Sequence, residues 1–342
     1  MTVKTITLPF RYDQVGSLLR SSNLTEAREQ YKTGTITQNQ LINVENNEIV
    51  RLIEKQKENG VLAITDGEFR RSWWHFDFLG GLDGVEYYEK DKGLDFHQME
   101  TRKEGIRVIG KIGFTTHPFV QHFEFLKQHA GEVVVKQTIP SPNMLIRRVD
   151  MNEEVYQDKE EFKQDIIVAY QKAIQAFYDA GCRYLQLDDT AWADLFSAEG
   201  HEKLRAKGLD PAEELKLMQQ MINESIAKKP EDLTVTMHIC RGNYKSNYFT
   251  SGGYDYASEV IFGGLNVDGL FLEFDDERSG SFEPLKYVNR TNLKIVLGLI
   301  TSKAGELEDK EKIKARIQEA ATYVPLEQLC LSPQCGFSST EE

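Results

Sequence analysis

Eight short β-rich runs recur along the 342 residues with stretches of helical spacing between them, and this alternation narrows the fold more than any other feature. The runs are YDQVGS (12–17), VLAITDGE (61–68), VVVKQTIPS (133–141), YLQLDD (184–189), LTVTMHIC (233–240), GLFLEF (269–274), LKIVLGLI (293–300) and QLCLS (328–332). Several are nearly unbroken apolar stretches, as expected of parallel strands covered on both faces. Between them, EEFKQDIIVAYQKAIQAFYDAG spaces its apolar residues by three and four and stops at Gly181. PAEELKLMQQMINESIA opens with Pro211 directly behind Asp210, a helix-start signature. An open doubly wound sheet is expected to carry a glycine-rich phosphate turn after its first strand, and GSLLRS is not one. The pattern therefore predicts an α/β chain folded as a (β/α)8 TIM barrel, one domain over residues 1–342. Residues 82–132 break the alternation. This long, charged, aromatic stretch is expected to form an insertion between the second and third strands, either a lid or a solvated excursion. A hairpin is expected in its RVIGKIGF and a short helix in its QHFEFLKQH.

Charge and composition remove whole classes of function. Forty-one basic residues against 54 acidic ones give a formal net charge of −13 with no basic stripe, a balance that repels phosphate backbones. Nucleic acid is not an expected partner. No segment approaches a membrane-spanning length, and MTVKTITLPFRYDQVGSLLR has no apolar signal core, so no membrane association is expected. Four cysteines in so long a chain do not make a disulfide framework, and the expected location is the reducing cytoplasm.

Polar residues cluster at the ends of the runs. Ser17 follows the first, Asp66 and Glu68 the second, and Asp188 and Asp189 the fourth. His238 and Cys240 follow the fifth, Glu273 the sixth and Cys335 the eighth. In a parallel barrel all strand C-termini open onto one rim, so these positions are expected to converge. Four of them, His238, Cys240, Glu273 and Cys335, make a zinc set, because Zn2+ accepts imidazole, thiolate and carboxylate in a tetrahedron. Drawn from separate strands, they suggest an active site rather than a structural knuckle. Cys330, inside an apolar run, and Cys182, just before a strand, read as core thiols. Asp275, Asp276 and Glu277 read as a solvated loop. Trp73, Trp74 and His75 either wall a donor face or pack structurally. Arg241 and Arg147–Arg148 either meet an anionic ligand or form surface salt bridges.

Taken in order, QVGSLLR, DGEFRR (66–71), LQLDD (185–189), the H-x-C of His238–Cys240, Glu273 and SPQCG (332–336) resemble the cobalamin-independent methionine synthase family. The resemblance is to its C-terminal catalytic half and covers essentially the whole chain. It implies a zinc-dependent methyltransferase acting on a thiol, with homocysteine as acceptor and methionine as product. It maps the zinc ligands onto His238, Cys240, Glu273 and Cys335, and an amino-acid pocket onto Ser17, Glu68 and Asp188. Glu68 and Asp188, the pocket's catalytic carboxylates, would hold the substrate ammonium, and the region around Ser17 its carboxylate. The implied methyl donor is a methylfolate or a methyl-corrinoid protein, with a small methylated sulfur compound as a further option. Two departures stand out. The family's histidine after the seventh strand is replaced by Thr301, Ser302 and Lys303, and SPNMLIRRVD lacks the aromatic platform expected for a pterin. Competing readings are another chemistry on the same barrel, such as thiol addition to an epoxide or a decarboxylation, and a zinc-stabilised amino-acid or thiol-binding protein. The ligand set disfavours decarboxylation.

Overall fold

The computed structural model describes residues 7–93, 95–96 and 99–341; Leu94, His97 and Gln98 of the 82–132 stretch, like the first six residues, lie outside them. Helices begin where the sequence supplies a cap. Ser21 caps α1 (Ser22–Lys32), and Thr37 with Gln40 forms a capping box on α2 (Gln38–Glu58). The chain continues through β1 (Ala63–Ile64), β2 (Asp83–Glu89), β3 (Glu104–Gly113) and α3 (Pro118–Ala130). Next come β4 (Val134–Val135), β5 (Gln137–Pro140), α4 (Pro142–Arg148) and α5 (Lys159–Asp179). After β6 (Tyr184–Asp189), Asp210 caps α6 (Pro211–Ile226), and β7 (Thr234–Ile239) and β8 (Gly269–Glu273) follow. The last principal elements are β9 (Lys294–Ile300), α7 (Lys310–Ala320) and β10 (Leu329–Pro333).

The result is a mixed α/β fold built on parallel pairing. Six strands form one parallel sheet in the order β10-β9-β8-β7-β6-β5, and β1 pairs with β4 in parallel. Isolated parallel bridges join Tyr12 to Leu331 and Ser17 to Gly67. The 12–17 run thus touches both the last strand of the sheet and the chain just beyond β1. It is not itself a regular strand, and VLAITDGE contracts to two strand residues. Glycine and turn geometry explain this: Gly16, Gly67 and Glu68 all have positive φ (146°, 66° and 61°), which ends extended pairing early.

Strand alternation sorts the side chains. Leu185, Leu187, Val235, Met237, Leu270 and Leu272 join Ile166, Tyr170, Ile174 and Phe177 of α5 in the main core. On the opposite face of the sheet, Val15, Phe271, Val296 and Cys330 form a smaller cluster. Asp188 is opposite His238, and His238 opposite Phe271, so the polar strand ends share that second face. Burying one such Leu or Phe contributes about 2–3 kcal/mol.

The 82–132 stretch differs from its expected form. All of RVIGKIGF but its last residue, Phe114, lies within the single strand β3, which pairs antiparallel with β2 from Val85–Val108 to Glu89–Glu104. Gly110 makes no turn, and the close approach falls at Gly84 of β2 opposite it. A Cβ on Gly84 would meet Lys111 O and Gly110 O at 2.4 and 2.5 Å, beside a register shift in the ladder. The helix is α3, thirteen residues long with Pro118 in its first turn, and it packs against α2, β4 and α5. Among the described residues, no helix is long and apolar enough to cross a membrane.

Candidate metal centre and adjoining pocket

Three of the expected ligands meet. The ligand atoms of His238, Cys240 and Cys335 all lie within 4.8 Å of one another, and all three residues are buried. β7 delivers His238 on its last turn of register and Cys240 just past its end, while the chain leaving β10 delivers Cys335. The two sulfurs are 3.8 Å apart. Two thiolates at about 2.3 Å from one tetrahedral zinc would be separated by about 3.8 Å, so the donor set fits that ion in both chemistry and spacing. His238 is held at both nitrogens, with Nδ1 3.3 Å from Asp188 Oδ1 and Nε2 3.2 Å from the Gln334 carbonyl.

The electrostatics of the three groups are tightly linked. A hydrogen bond from Cys335 pulls the Cys240 thiol far below its ordinary range against the effect of burial, and His238 adds to this. The same bond, with burial, pushes Cys335 well up. Burial opposes a charge on His238, yet the Cys240 thiolate and Asp188 outweigh it and raise the imidazole to about 10. These shifts favour a thiolate on Cys240 and a proton on His238, and uptake of a cation would require that proton to leave. Cys182 and Cys330 behave in the opposite way: burial pushes them to about 12 and about 11, as inert core thiols.

Glu273 closes β8 fully buried, but its oxygens are engaged elsewhere. Oε2 accepts from the Arg241 backbone N–H at 2.6 Å, and Oε1 accepts from Arg278, with Lys303 Nζ 3.9 Å away. It lies outside the three-residue group while acting electrostatically on both Cys240 and Cys335. Arg241 is not a surface residue. Its guanidinium is buried over Phe196 and Tyr254 and bonded to Gly252 O and Ser279 O. Asp275 also departs from the solvated-loop expectation, since Thr301 Oγ1 donates to it at 2.8 Å; Asp276 and Glu277 are exposed.

The cluster forms part of the wall of a cavity that is also lined by Ser17, Glu68, Asp188, Trp73, Trp74 and His75. Glu68 has a left-handed backbone, uncommon for a non-glycine residue, fixed by its amide donating to Asp66 Oδ1 at 2.9 Å. This gives Asp66 a structural task. Glu68 Oε1 is anchored by Thr138 Oγ1 at 2.8 Å and Arg71 at 3.1 Å, while Oε2 is buried without a partner. Burial is the main cause raising Glu68 to about 7. Asp188 Oδ1 accepts from Gln186 at 2.7 Å. Ser17 Oγ accepts from the Ser338 amide, and only a glycine fits at 336, where a Cβ would sit 1.9 Å from that oxygen. Asp189 is saturated by Ser141, Asn143, Trp192 and the Ala191 amide, and so ties the third run to the fourth.

Some pocket residues escaped the sequence reading. Asn243 donates to Gly336 O and leaves Oδ1 buried and unpaired beside the cavity. Ser339 and Thr340 reach the cavity because the C-terminal segment bridges to Trp73 and is bonded to Trp74 and Ser72. Asn243, three residues past Cys240, was findable from the CRGN turn; the C-terminal segment carried no signal.

Residues 11–342 match the family model for the catalytic domain of cobalamin-independent synthases. The uncharacterized protein YxjG of Bacillus subtilis is 57 % identical over 98 % of this chain and 89 % of its own. A methionine synthase of Sulfurisphaera tokodaii is 24 % identical, covering 94 % of this chain and 84 % of its own. A Listeria monocytogenes crystal structure, provisionally assigned as a vitamin-B12-independent methionine synthase, superposes with a TM-score of 0.82 at 51 % identity, covering 98 % of this chain and 93 % of that one. A B12-independent methionine synthase from Shewanella in complex with selenomethionine shares the fold, with a TM-score of 0.74 at 18 % identity over 97 % and 92 % of the two chains.

Proposed function

This chain belongs to the cobalamin-independent synthase catalytic-domain family, and from that premise we propose that it methylates a thiol, converting homocysteine to methionine with zinc as cofactor. The observation that carries the reading is the 3.8 Å pair of Cys240 and Cys335 beside His238, opening on a cavity with Glu68 and Asp188 in its wall. The architecture proposed for it is a closed (β/α)8 barrel forming one domain, located in the cytoplasm. The parallel bridges of residues 12–17 to Leu331 and to Gly67 support closure, since they link the two ends of the strand series.

His238, Cys240 and Cys335 would hold the ion, with Glu273 as a fourth donor that must first loosen its bonds to Arg241 and Arg278. When bound, the ion supplies positive charge that favours the deprotonated form of an incoming thiol, the form that attacks a methyl group. The remaining work is done by the chain. Glu68 Oε2, unpaired and buried, accepts the substrate ammonium together with Asp188, and Arg71 and Thr138 fix its direction. Ser17 and the backbone groups near it receive the carboxylate. Asp188 also holds His238 Nδ1, which couples the amino-acid pocket to the ligand cluster. Trp73 and Trp74 exclude water on the donor side.

The replacements at 301–303 are not idle. Thr301 bonds Asp275, Ser302 bonds Gln334, and Lys303 stands near Glu273. None of them replaces a histidine in kind, so alkyl transfer from a donor other than methylfolate, such as a methyl-corrinoid protein, is the second reading. The test is turnover of zinc-loaded protein with homocysteine and a panel of donors (methylfolate, methyl-corrinoid, methylated sulfur compounds), following methionine. Methionine from at least one donor is expected; none from any, with homocysteine failing to bind, contradicts the proposal.

A further inference from the structure

Two adjacent arginines end α4, and only one is accounted for. Arg147 pairs with Glu214 at 2.7 Å. Arg148 has no hydrogen bond or ion pair to any described residue, and its Nε is buried without a partner. A cation in the last turn of a helix gains something from the helix dipole, but that does not satisfy a guanidinium Nε withdrawn from water. Asp189 and Asp194 attract it only through space, and Asp189 is already saturated.

Its position supplies the missing explanation. Arg148 stands in the wall between two cavities. One is the cavity holding Glu68, Asp188, His238, Cys240 and Cys335; the other is lined, among the described residues, by Lys90, Lys92, Arg147 and one carboxylate, Glu104. Lys90 is paired with Asp150 and Glu104 accepts from Trp73 Nε1, so the free charge at the junction belongs to Arg148. His75, stacked on Trp73 at 5.5 Å, lines the same cavity, and burial, then Arg148, keeps it neutral. A planar fork of donors with nothing in it is suited to a carboxylate or a phosphate.

Resting on the methyl-transfer reading above, we propose that Arg148 is the anion-binding residue of the donor site, receiving a carboxylate or phosphate group of the methyl donor. The acceptor's own carboxylate is placed at Ser17, so the anion at Arg148 is that of the second substrate. This also explains how position 148 serves a donor without an aromatic platform in SPNMLIRRVD. The donor is gripped by charge rather than by stacking.

The test is calorimetric binding to zinc-loaded protein with two matched pairs of ligands. Methyltetrahydropteroylglutamate against methyltetrahydropterin isolates a carboxylate; methylcobalamin against methylcobinamide isolates a phosphate. Arg148→Gln is expected to weaken the member of one pair that carries the anionic group about tenfold or more, and the counterpart lacking that group less than about twofold. Arg148→Lys should recover part of the loss, and the unfolding temperatures of both variants should show that they fold. Whichever pair responds identifies the source of the anion. Equal losses within each pair, no loss at all, or no binding of either anionic ligand to the unsubstituted protein would overturn the proposal. Homocysteine affinity is expected to be unchanged in Arg148→Gln, and its selective loss there would assign Arg148 to the acceptor and likewise overturn it. Failure of the unsubstituted protein to bind homocysteine would instead contradict the methyl-transfer reading, and the donor pairs would still report on Arg148.

Discussion

The two ends of the parallel strands treat buried polar groups in opposite ways. At the N-terminal ends, Lys136 Nζ bonds Gln14 O at 2.6 Å and lies 3.4 Å from Asp13, whose other oxygen accepts from Tyr184. The ammonium also sits 3.9 Å from the Phe271 ring centroid. Both charges of this pair are satisfied. At the C-terminal ends, Glu68 Oε2, Asn243 Oδ1 and Arg148 Nε are buried without a hydrogen-bond partner, and three side chains able to ligate a metal crowd together. Unsatisfied buried groups are costly, so a fold tolerates them where a ligand completes them. One end is built to hold, the other to receive.

Substitutions can break this contrast. Cys240→Ser or Cys335→Ser is expected to abolish stoichiometric zinc binding, measured by elemental analysis after gel filtration, whereas Cys182→Ser and Cys330→Ser retain it. Retention in the first pair would dissolve the distinction between the two kinds of thiol. Lys136→Met should act at the other end, leaving Asp13 buried and uncompensated, and cost about 3–5 kcal/mol in urea unfolding. Zinc content of the folded fraction should not change.

Glu68→Gln is expected to weaken homocysteine binding roughly ten- to a hundredfold, the worth of one charge-assisted bond, with little loss of stability. Burial raises the Glu68 carboxyl to about 7, so in the unsubstituted protein homocysteine should bind more tightly as pH rises from 6 to 8. The folded state holds this proton at pH values where the unfolded chain has lost it. The group's contribution to stability therefore falls as pH rises from its unfolded value near 4.5 through 7. In Glu68→Gln both slopes should flatten.

The smallest effect concerns a paired group at the receiving end. Burial alone would raise Glu341, but bonds from Arg28 and Lys32 outweigh it and hold the carboxyl at about 2. Glu341→Gln should cost about 1–2 kcal/mol by chemical unfolding at neutral pH. Because the native value is depressed, that contribution is complete above the unfolded value and vanishes as pH falls through 2. A cost that persists in acid would deny the charge its role.

Much of this contrast was legible in the sequence because parallel strands display it at their ends. His238 and Cys240 announced themselves by period-two spacing, and Cys335 by its place just past an apolar run. Cys182 and Cys330 read as core for the same reason, and both are buried. What one sequence could not show was pairing across long separations. Glu273 looked like a ligand equal to the others, but Arg278 and the Arg241 amide hold it, and neither bond follows from local pattern. RVIGKIGF looked like a hairpin because glycine usually marks a turn; here the glycine opposite, Gly84, lets two strands approach. The C-terminal segment was silent, since its link to Trp73 spans most of the chain.

The most direct test of the central claim is zinc X-ray absorption on the loaded protein, with and without homocysteine. Two sulfur neighbours at about 2.3 Å are expected for the resting protein and three once homocysteine is added. A sulfur count that stays at two in saturating homocysteine would contradict an ion open to the substrate.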